Sequence, residues 1–404
     1  MRLKRLTLIN FRNYSRLEIA FDRPLIVLQG DNAQGKSNLL EAIYMLATSK
    51  SPRANSDRDL LNWFAESDIQ PYARIDAEVE RGSRTERLEI TVLKTNGGTN
   101  GPAVRKQIRI NGVNRRALDL LGHLNVVLFV PQDVELVDGS PSVRRRYLDI
   151  MLCQINPRYC RALSEYSHAV VQRSHLLRRL RERPGDPAQL AYWDEVLTTR
   201  GSEVIAWRRR AVIALDQLAG TIHRELTNGS ELLRLKYQPS LPIPEALQPP
   251  LGLELAVAQD EIAAVQAAFA ERLARLRPAE LHQGACLVGP HRDDLRFLVN
   301  GRDLQTYGSR GQQRTAALSL KMAETRLMHA ETGEHPVLLL DDVLSELDTK
   351  RRECLLEAVN GVEQAILTTT DLTLFSADFL ARADSLRVTE GRIQRLNVGS
   401  GPDE

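Results

Sequence analysis

The sequence contains no run of about 18 apolar residues, so no membrane-crossing helix is expected. Its first residues, "MRLKRLTLINF", enter an alternating pattern directly and lack the apolar block of a signal peptide. The four cysteines, Cys153, Cys160, Cys286 and Cys354, form no C-x-x-C pair. That spacing supplies neither a zinc site nor a disulfide framework, and reduced thiols of a cytoplasmic protein are expected. Charge of one sign is also missing: 54 Lys and Arg against 52 Asp and Glu leave a net +2. A nucleic-acid partner would therefore have to be held by local patches. Aromatics make up 5% and are barely interleaved with the basic runs, which gives little support to base stacking of the single-strand type. There is no internal repeat and no low-complexity tract.

What is present is a chain of 404 residues, 43% hydrophobic and 26% charged, which suits a soluble globular protein of two or three domains. "LKRLTLINF", "RLEIAF", "PLIVLQG", "YARIDAEVE", "RLEITVL", "KQIRING" and "NVVLFV" read as strands, and Asn111-Gly112 as a tight turn. A helix fits Lys36 to Thr48. Between about Pro141 and Pro278 the period changes. Leu190, Trp193, Leu197, Val204, Ala211, Leu215, Leu218, Ile222 and Leu226 recur at three- and four-residue steps. "QPSLPIPEALQPP" interrupts this helical region and Leu253 to Arg277 resumes it. Strands return after Gly284 in "LRFLV", "HPVLLLDD", "QAILTTT" and "SLRVTEGRIQRL". The expected layout is an α/β head from 1–150 and 281–404 with an antiparallel β subdomain, and a helical arm from 151–280 inserted between its two sequence halves. The tail after Val398 is polar and expected to fray.

"GDNAQGKS", Gly30 to Ser37, matches G-x-x-x-x-G-K-[ST] between a predicted strand and a predicted helix. Its glycines let backbone N–H groups wrap phosphate oxygens at a helix start. Lys36 would reach the β/γ-phosphates and Ser37 would ligate Mg²⁺. "VLLLDD", Val337 to Asp342, is a buried strand running into two carboxylates. Asp341 suits the metal side, and Asp342 could orient or deprotonate the attacking water. Adjacent buried carboxylates are costly unless a cation neutralises them. "YGSRGQQRT", Tyr307 to Thr315, has no carboxylate, no metal-ligand cluster and no nucleophile with an adjacent base. It offers a hydroxyl (Ser309), a bend (Gly311) and amides such as Gln312 at a helix start, which is equipment for holding an anion. "SELD", Ser345 to Asp348, fits a helix cap. As single motifs the last two read better as a turn and a cap, and only the combination with the other motifs favours the anion-holding reading.

In this order and spacing the motifs resemble the ATP-binding-cassette ATPases. In that class the glycine-bearing signature contacts the γ-phosphate of ATP held by a partner subunit, which would give one chain two phosphate-holding elements. Within the class, "INFRNY", "GDNAQGKSN", "GSPSVRRRYLD", "GPHRDDL", "YGSRGQQR" and "LLDDVLSELD" resemble the RecF family of bacterial recombination-mediator ATPases, relatives of the structural-maintenance-of-chromosomes ATPases. The resemblance spans the body and leaves only the helical insertion without sharp motifs. It implies ATP and Mg²⁺ as cofactors and an ATP-dependent homodimer. It also implies slow, DNA-stimulated hydrolysis, and DNA binding at single-strand gaps or junctions. Loading of the RecA recombinase with RecR and RecO, in DNA repair, replication restart and SOS induction, belongs to the same picture. Carried onto this sequence, the nucleotide set is Gly30, Asp31, Asn32, Ala33, Gln34, Gly35, Lys36, Ser37, Asn38 and Arg12, with Ser309, Gly311, Gln312 and Asp348 from the signature and the "SELD" stretch. Gln132, after Pro131, suits a glutamine that senses Mg²⁺ and water, or a plain loop residue. The shorter acid at Asp342 and "LTTTD" in place of a γ-phosphate-sensing histidine suggest a slow switch.

Three arginine groups bear on DNA: Arg144, Arg145 and Arg146; Arg178, Arg179 and Arg181 within "RRLRER"; and Arg208, Arg209 and Arg210. Phosphate contacts from such groups would be sequence-independent and salt-sensitive, and solvated helix faces with paired acids explain each run equally well. His291, Arg292 and Asp293 form a polar turn without an assigned role. A transporter ATPase subunit is the first rival, disfavoured by the helical insertion. A chromosome-structural ATPase with a long coiled coil is the second, and about 130 residues folded back give only a stub.

Overall fold

The computed structural model describes residues 1–67, 70–95, 103–183, 185–243, 253 and 255–396; the polar tail lies outside them. Its strands, in chain order, are β1 (Arg2–Phe11), β2 (Tyr14–Ala20), β3 (Leu25–Gln29), β4 (Tyr72–Arg81), β5 (Arg84–Thr95), β6 (Ala103–Ile110), β7 (Val113–Arg115), β8 (Val126–Phe129), β9 (Leu233–Gln238), β10 (Asp294–Val299), β11 (Arg302–Asp303), β12 (Val337–Asp341), β13 (Ala365–Thr369), β14 (Asp384–Thr389) and β15 (Arg392–Arg395). The longer helices are α1 (Lys36–Thr48), α2 (Pro141–Ile155), α3 (Pro157–Glu182), α4 (Ala191–Leu226), α5 (Gln259–Gln283), α6 (Arg310–Thr332) and α7 (Thr349–Asn360). The chain divides into two compact units, one of 1–132 with 332–404 and one of 133–331.

The first unit carries two sheets. One runs β2-β1-β4-β5-β6-β7, antiparallel throughout. In β1 Leu3, Leu6, Leu8 and Phe11 face inward between partly exposed neighbours, and a register shift between Leu3 and Arg5 resets the alternation. The other sheet runs β15-β14-β3-β13-β12-β8, parallel except for the edge pair β14–β15. Its inner strands β12 and β13 are buried along their whole length, as expected of strands covered on both faces. Parallel registration brings the ends of β3, β12, β13 and β8 to one edge, so "GDNAQGKS" and "DD" emerge side by side.

The second unit is mainly helical. The inward stripe of α4 includes Leu197, Val204, Ala211, Leu215, Ile222 and Leu226, as the sequence period requires, while Trp193 and Leu218 are half-buried. A Cβ on Gly201 would stand 2.5 Å from Phe269 and 3.0 Å from Tyr166, so glycine there sets how closely α3, α4 and α5 approach. The sheet β11-β10-β9 joins a strand from within the expected arm to two from after it. Residues 133–150 and 281–331, expected in the head, thus pack with the arm helices in one unit. The reason lies in β9: "LRLKYQ" is a short strand whose ladder to β10 is non-local, so helical periodicity on either side hides it.

Candidate functional site: a phosphate loop, an acid-tipped strand and a separate helix start

The loop from Gly30 to Ser37 joins β3 to α1 in the first unit. The Gly30 N–H donates to Thr369 O at 3.2 Å. A Cβ on Gly30 would meet the Val388 carbonyl oxygen at 2.3 Å, so only glycine fits. Gly35 has φ 118° and lies against the side chains of Asn13 and Tyr14, which excludes any other residue. The tip is held from two sides. Asn13 Nδ2 and the Gly391 N–H donate to Gln34 O at 2.9 and 3.1 Å, and the Glu390 N–H donates to Gln34 Oε1 at 2.7 Å. Tyr14 Oη donates to Gly35 O at 3.0 Å, and Asn38 Nδ2 donates to Asn13 Oδ1 at 2.9 Å. Asp31, Asn32 and Ala33 stay exposed on the loop.

Lys36 is buried and donates to Gly30 O and Asp31 O, the latter at 2.8 Å. Burial holds its pKa below the ordinary lysine value, against the pull of Asp342, Asp341 and Asp31. Ser37 Oγ donates to Asp341 Oδ1 at 2.7 Å and Thr368 Oγ1 donates to the same oxygen at 2.9 Å. The guanidinium of Arg53 pairs with Asp341 Oδ2. Asp342 stands one residue on, at φ 53° in the left-handed region, with its N–H on Thr368 Oγ1 at 3.0 Å. Burial raises its pKa; Lys36 opposes the shift, while Asp341 and Glu346 reinforce it. Among the described residues its buried Oδ1 has no hydrogen-bond partner. Ser37 and Asp341 thus put hard oxygen donors together, beside an orphaned carboxylate oxygen. Such a set suits Mg²⁺, which keeps waters and takes one or two carboxylates with substrate phosphates. Gln132 follows β8, whose Phe129 registers with Leu340, so it emerges at the same sheet edge as Asp341.

Two expected nucleotide residues have other partners here. Arg12 gives Nε and Nη2 to Glu41 at 2.9 and 2.7 Å and Nη1 to Asp59 O at 2.7 Å. None of those contacts involves the loop. Asp348 caps α7, accepting from the Arg351 N–H at 2.9 Å, and pairs with the Arg351 guanidinium.

The second element opens α6 in the other unit. Ser309 and Gln312 cap each other: the Ser309 N–H donates to Gln312 Oε1 at 3.0 Å, and the Gln312 N–H donates to Ser309 Oγ at 3.2 Å. Ser309, Arg310 and Gly311 are exposed. The Gln312 amide is taken up on both sides, since Nε2 donates to Glu231 Oε1 at 2.8 Å. Gln312 is therefore the brace of this turn, and Ser309 and Gly311 form its open face.

The arginine runs do not act as blocks. Successive helical residues point about 100° apart, so a run of three cannot share a face. Arg144 is buried and bidentate on Asp294 at 2.7 and 3.0 Å, and Arg145 donates to Asp293 O at 2.7 Å. Arg208 is buried on Asp149, Tyr159 and the Pro290 carbonyl, while Arg209 and Arg210 share Glu261. Arg144 and Arg208 are thereby corrected from DNA candidates to buried structural cations, while Arg145, Arg209 and Arg210 are half-buried and paired within the chain. Arg146 is exposed. Arg178, Arg179 and Arg181 are exposed near the end of α3, with Arg179 on Gln189 and Arg181 on Gln283 O. The polar turn is structural too. His291 Nδ1 meets Tyr166 Oη at 2.5 Å, and Asp293 accepts from the Ser240 N–H at 2.7 Å and from Tyr237 Oη. Burial lowers the pKa of His291 to about 4.

Sequence reasoning missed Arg53, Thr368, Asn13, Tyr14, Glu390 and Gly391. The only available signal was local: Thr368 lies in "LTTTD" and Asn13-Tyr14 in "INFRNY". Their contacts with the loop and the acids are long-range.

A model of the RecF/RecN/SMC N-terminal domain matches residues 2–388. The DNA replication and repair protein RecF of Chloroflexus aggregans is 47% identical, over 97% of this chain and 99% of that one. RecF of Geobacillus thermodenitrificans is 39% identical over the same shares. Solved structures of the recombination mediator protein RecF in the RecFOR pathway, described as RecF-ATPrS and RecF-ATP, superpose with a TM-score of 0.82 at 31% identity over 98% of this chain and 98% and 97% of theirs. An Smc head bound to the C-terminal winged-helix domain of ScpA matches at TM-score 0.52 and 15% identity, over 99% of this chain and 98% of that one, a likeness of fold alone.

Proposed function

The chain belongs to the RecF family, and from that premise we propose that it is an ATP-dependent DNA-binding switch of recombinational repair. It dimerises head to tail on ATP and Mg²⁺, holds DNA at single-strand gaps or junctions, and works with RecR and RecO to load RecA. The carrying observation is the division of labour within one chain: loop, lysine and paired acids in one unit, and an exposed, pre-capped helix start in the other.

ATP sits on the Gly30 loop. The loop N–H groups and Lys36 take its phosphate oxygens once the lysine leaves its own loop carbonyls. When bound, Mg²⁺ neutralises phosphate charge, with Ser37 and Asp341 as its protein ligands. Asp342 accepts the proton of the attacking water, and its raised pKa matches that task better than an ordinary aspartate would. Gln132, emerging at the same edge, positions that water. Ser309 and the N–H groups near Gly311 meet the γ-phosphate held by the other protomer. With one short acid and no histidine after β13, turnover is slow, and DNA speeds it. The exposed arginines of α3 supply phosphate contacts for DNA.

Sedimentation with and without Mg-ATP, followed by DNA titrations at several salt concentrations, tests this. ATP should convert monomer to dimer. Replacing Arg178, Arg179 and Arg181 together by Ala should weaken binding to all sequences alike and reduce the salt slope by about 3, close to one unit per lost phosphate contact. An unchanged slope and affinity would return these arginines to a solvated face.

A further inference from the structure

Beside the helix start lies a chain of hydrogen bonds that the nucleotide chemistry does not use. His223, fully buried near the C-terminal end of α4, touches Ser319 Oγ through Nδ1 at 3.1 Å and Glu231 Oε2 through Nε2 at 3.0 Å. An ionised carboxylate only accepts, so Nε2 carries a proton and donates it. The other oxygen, Glu231 Oε1, accepts from Gln312 Nε2 at 2.8 Å. Gln312 in turn holds the Ser309 N–H and Oγ. The segment bearing Glu231 is fixed independently: the Leu232 N–H donates to Asn300 Oδ1 at 2.9 Å and the Asn300 N–H to Leu232 O at 3.0 Å.

We propose that Glu231 is a positioning residue for the signature: anchored by His223, it fixes the Gln312 amide and through it the presentation of Ser309 to the partner's nucleotide. An unrestrained glutamine has several rotamers and an amide that can flip. Here each end of the amide has one partner type, acceptor to Ser309 N–H and donor to Glu231, so only one orientation satisfies both. With its own N–H bond to Gln312 Oε1 and its Oγ accepting from the Gln312 N–H, Ser309 keeps its hydroxyl proton for an outside acceptor such as a phosphate oxygen. His223 also touches α6 at Ser319, whose Oγ donates to Thr315 O at 2.7 Å, so α6 is gripped two turns apart. Pre-organisation of this kind lowers the ordering cost at the moment of docking.

The inference rests on the composite-site reading, and Ser309→Arg serves as the control that tests that reading alone. Three proteins are compared with wild type: Glu231→Ala, Glu231→Gln and Ser309→Arg. Gln keeps an acceptor for Gln312 Nε2 and offers an N–H to an unprotonated His223 Nε2. Monomer ATP binding should stay within about twofold of wild type in all three. ATP-dependent dimerisation should weaken at least tenfold in Glu231→Ala, recover to within about threefold in Glu231→Gln, and vanish in Ser309→Arg. Amide hydrogen exchange in ligand-free Glu231→Ala should rise at residues 309–313 and nowhere else in 133–331; this readout stands even if the melting temperature falls. Wild-type dimerisation by Glu231→Ala, equal loss in the Ala and Gln variants, or faster exchange spread over the whole unit would overturn the proposal. Normal dimerisation by Ser309→Arg would instead overturn the composite site itself.

Discussion

The Gly30 loop and the Ser309 turn both present backbone N–H groups at the start of a helix, yet they are built in opposite ways. The loop is enclosed. Gly30 abuts the Val388 carbonyl, Gly35 abuts Asn13 and Tyr14, and the tip at Gln34 is tied to the β1–β2 and β14–β15 turns. The Ser309 turn stands in the open: an added Cβ at Gly311 would have Ser309 Oγ, 4.0 Å away, as its nearest neighbour. What holds the turn lies behind it, in Gln312 and Glu231. An enclosed loop can grip a phosphate unaided. An open, pre-capped turn leaves Ser309 and Gly311 exposed, which is what the proposed contact with a second protomer requires. On the proposed function, the difference is that between a pocket and half of an interface.

The largest expected effect breaks this comparison at its glycines. Gly30→Ala would drive a Cβ to 2.3 Å from backbone oxygen, which cannot move without disturbing β14. The first unit should lose about 2–3 kcal/mol of stability and ATP binding should be lost with it. Gly311→Ala meets open space within the first turn of α6, where alanine is the better helix former. Stability should hold or rise by up to about 1 kcal/mol, with monomer ATP binding intact and dimerisation impaired. Chemical denaturation and nucleotide titration of both variants measure the contrast. Equal tolerance at the two glycines would end it.

The next effect moves from the single chain to the pair. Lys36→Ala removes the cation of the loop, and Ser309→Arg puts a long side chain where the proposed composite site would receive a γ-phosphate. On the proposed head-to-tail arrangement, each mutant would spoil both sites of its own homodimer. Mixed, one composite site joins a wild-type loop to a wild-type signature. ATP-dependent association should then reappear in the mixture, up to about half of the wild-type level, where neither mutant alone associates. Loss of ATP binding by monomeric Ser309→Arg would show that the turn serves its own chain's loop.

The two elements were also unequally legible in the sequence. Gly30 to Ser37 and Val337 to Asp342 are local patterns, and α1 forms over the residues expected of it because loop chemistry and helix start coincide there. The Ser309 turn was legible as a helix start, but its brace was not, since Glu231 and His223 are distant in the chain and unremarkable in type. The same limit governs the arginines. A run such as Arg208 to Arg210 reads as a patch along the sequence, while the helix turns Arg208 inward onto Asp149 and gives its neighbours to Glu261. Removing Asp149 would strand the buried charge of Arg208, so that arginine is fixed by stability. Strand β9 was missed because its ladder to β10 spans the region that periodicity assigned to the arm, and the unit boundary moved with it.

The smallest effect expected separates the two elements by titration. The loop faces a carboxylate whose pKa burial has raised, Asp342, with a buried oxygen that has no partner among the described residues. Ser309 and Gly311 carry no titratable group. Because the folded pKa of Asp342 lies above its unfolded value, the native state binds more protons between the two values, and stability falls as pH rises through that window. Above it the ionised carboxylate is a standing cost to the ligand-free fold. Asp342→Asn removes that cost while keeping the shape, so the ligand-free variant should melt higher at pH 7. Solvent screening around this partly exposed group limits the gain to roughly 2 °C. The gain should fade as pH falls past the ordinary aspartate value of 3.8, below which the carboxyl is increasingly protonated in both states. The amide cannot accept a proton, so the same variant should bind ATP, dimerise and fail to hydrolyse. Melting curves from pH 3 to 8, set beside single-turnover hydrolysis, check both halves. A variant that melts lower at pH 7, or hydrolyses at the wild-type rate, would show that the strain at this strand end lies elsewhere than in the charge of Asp342.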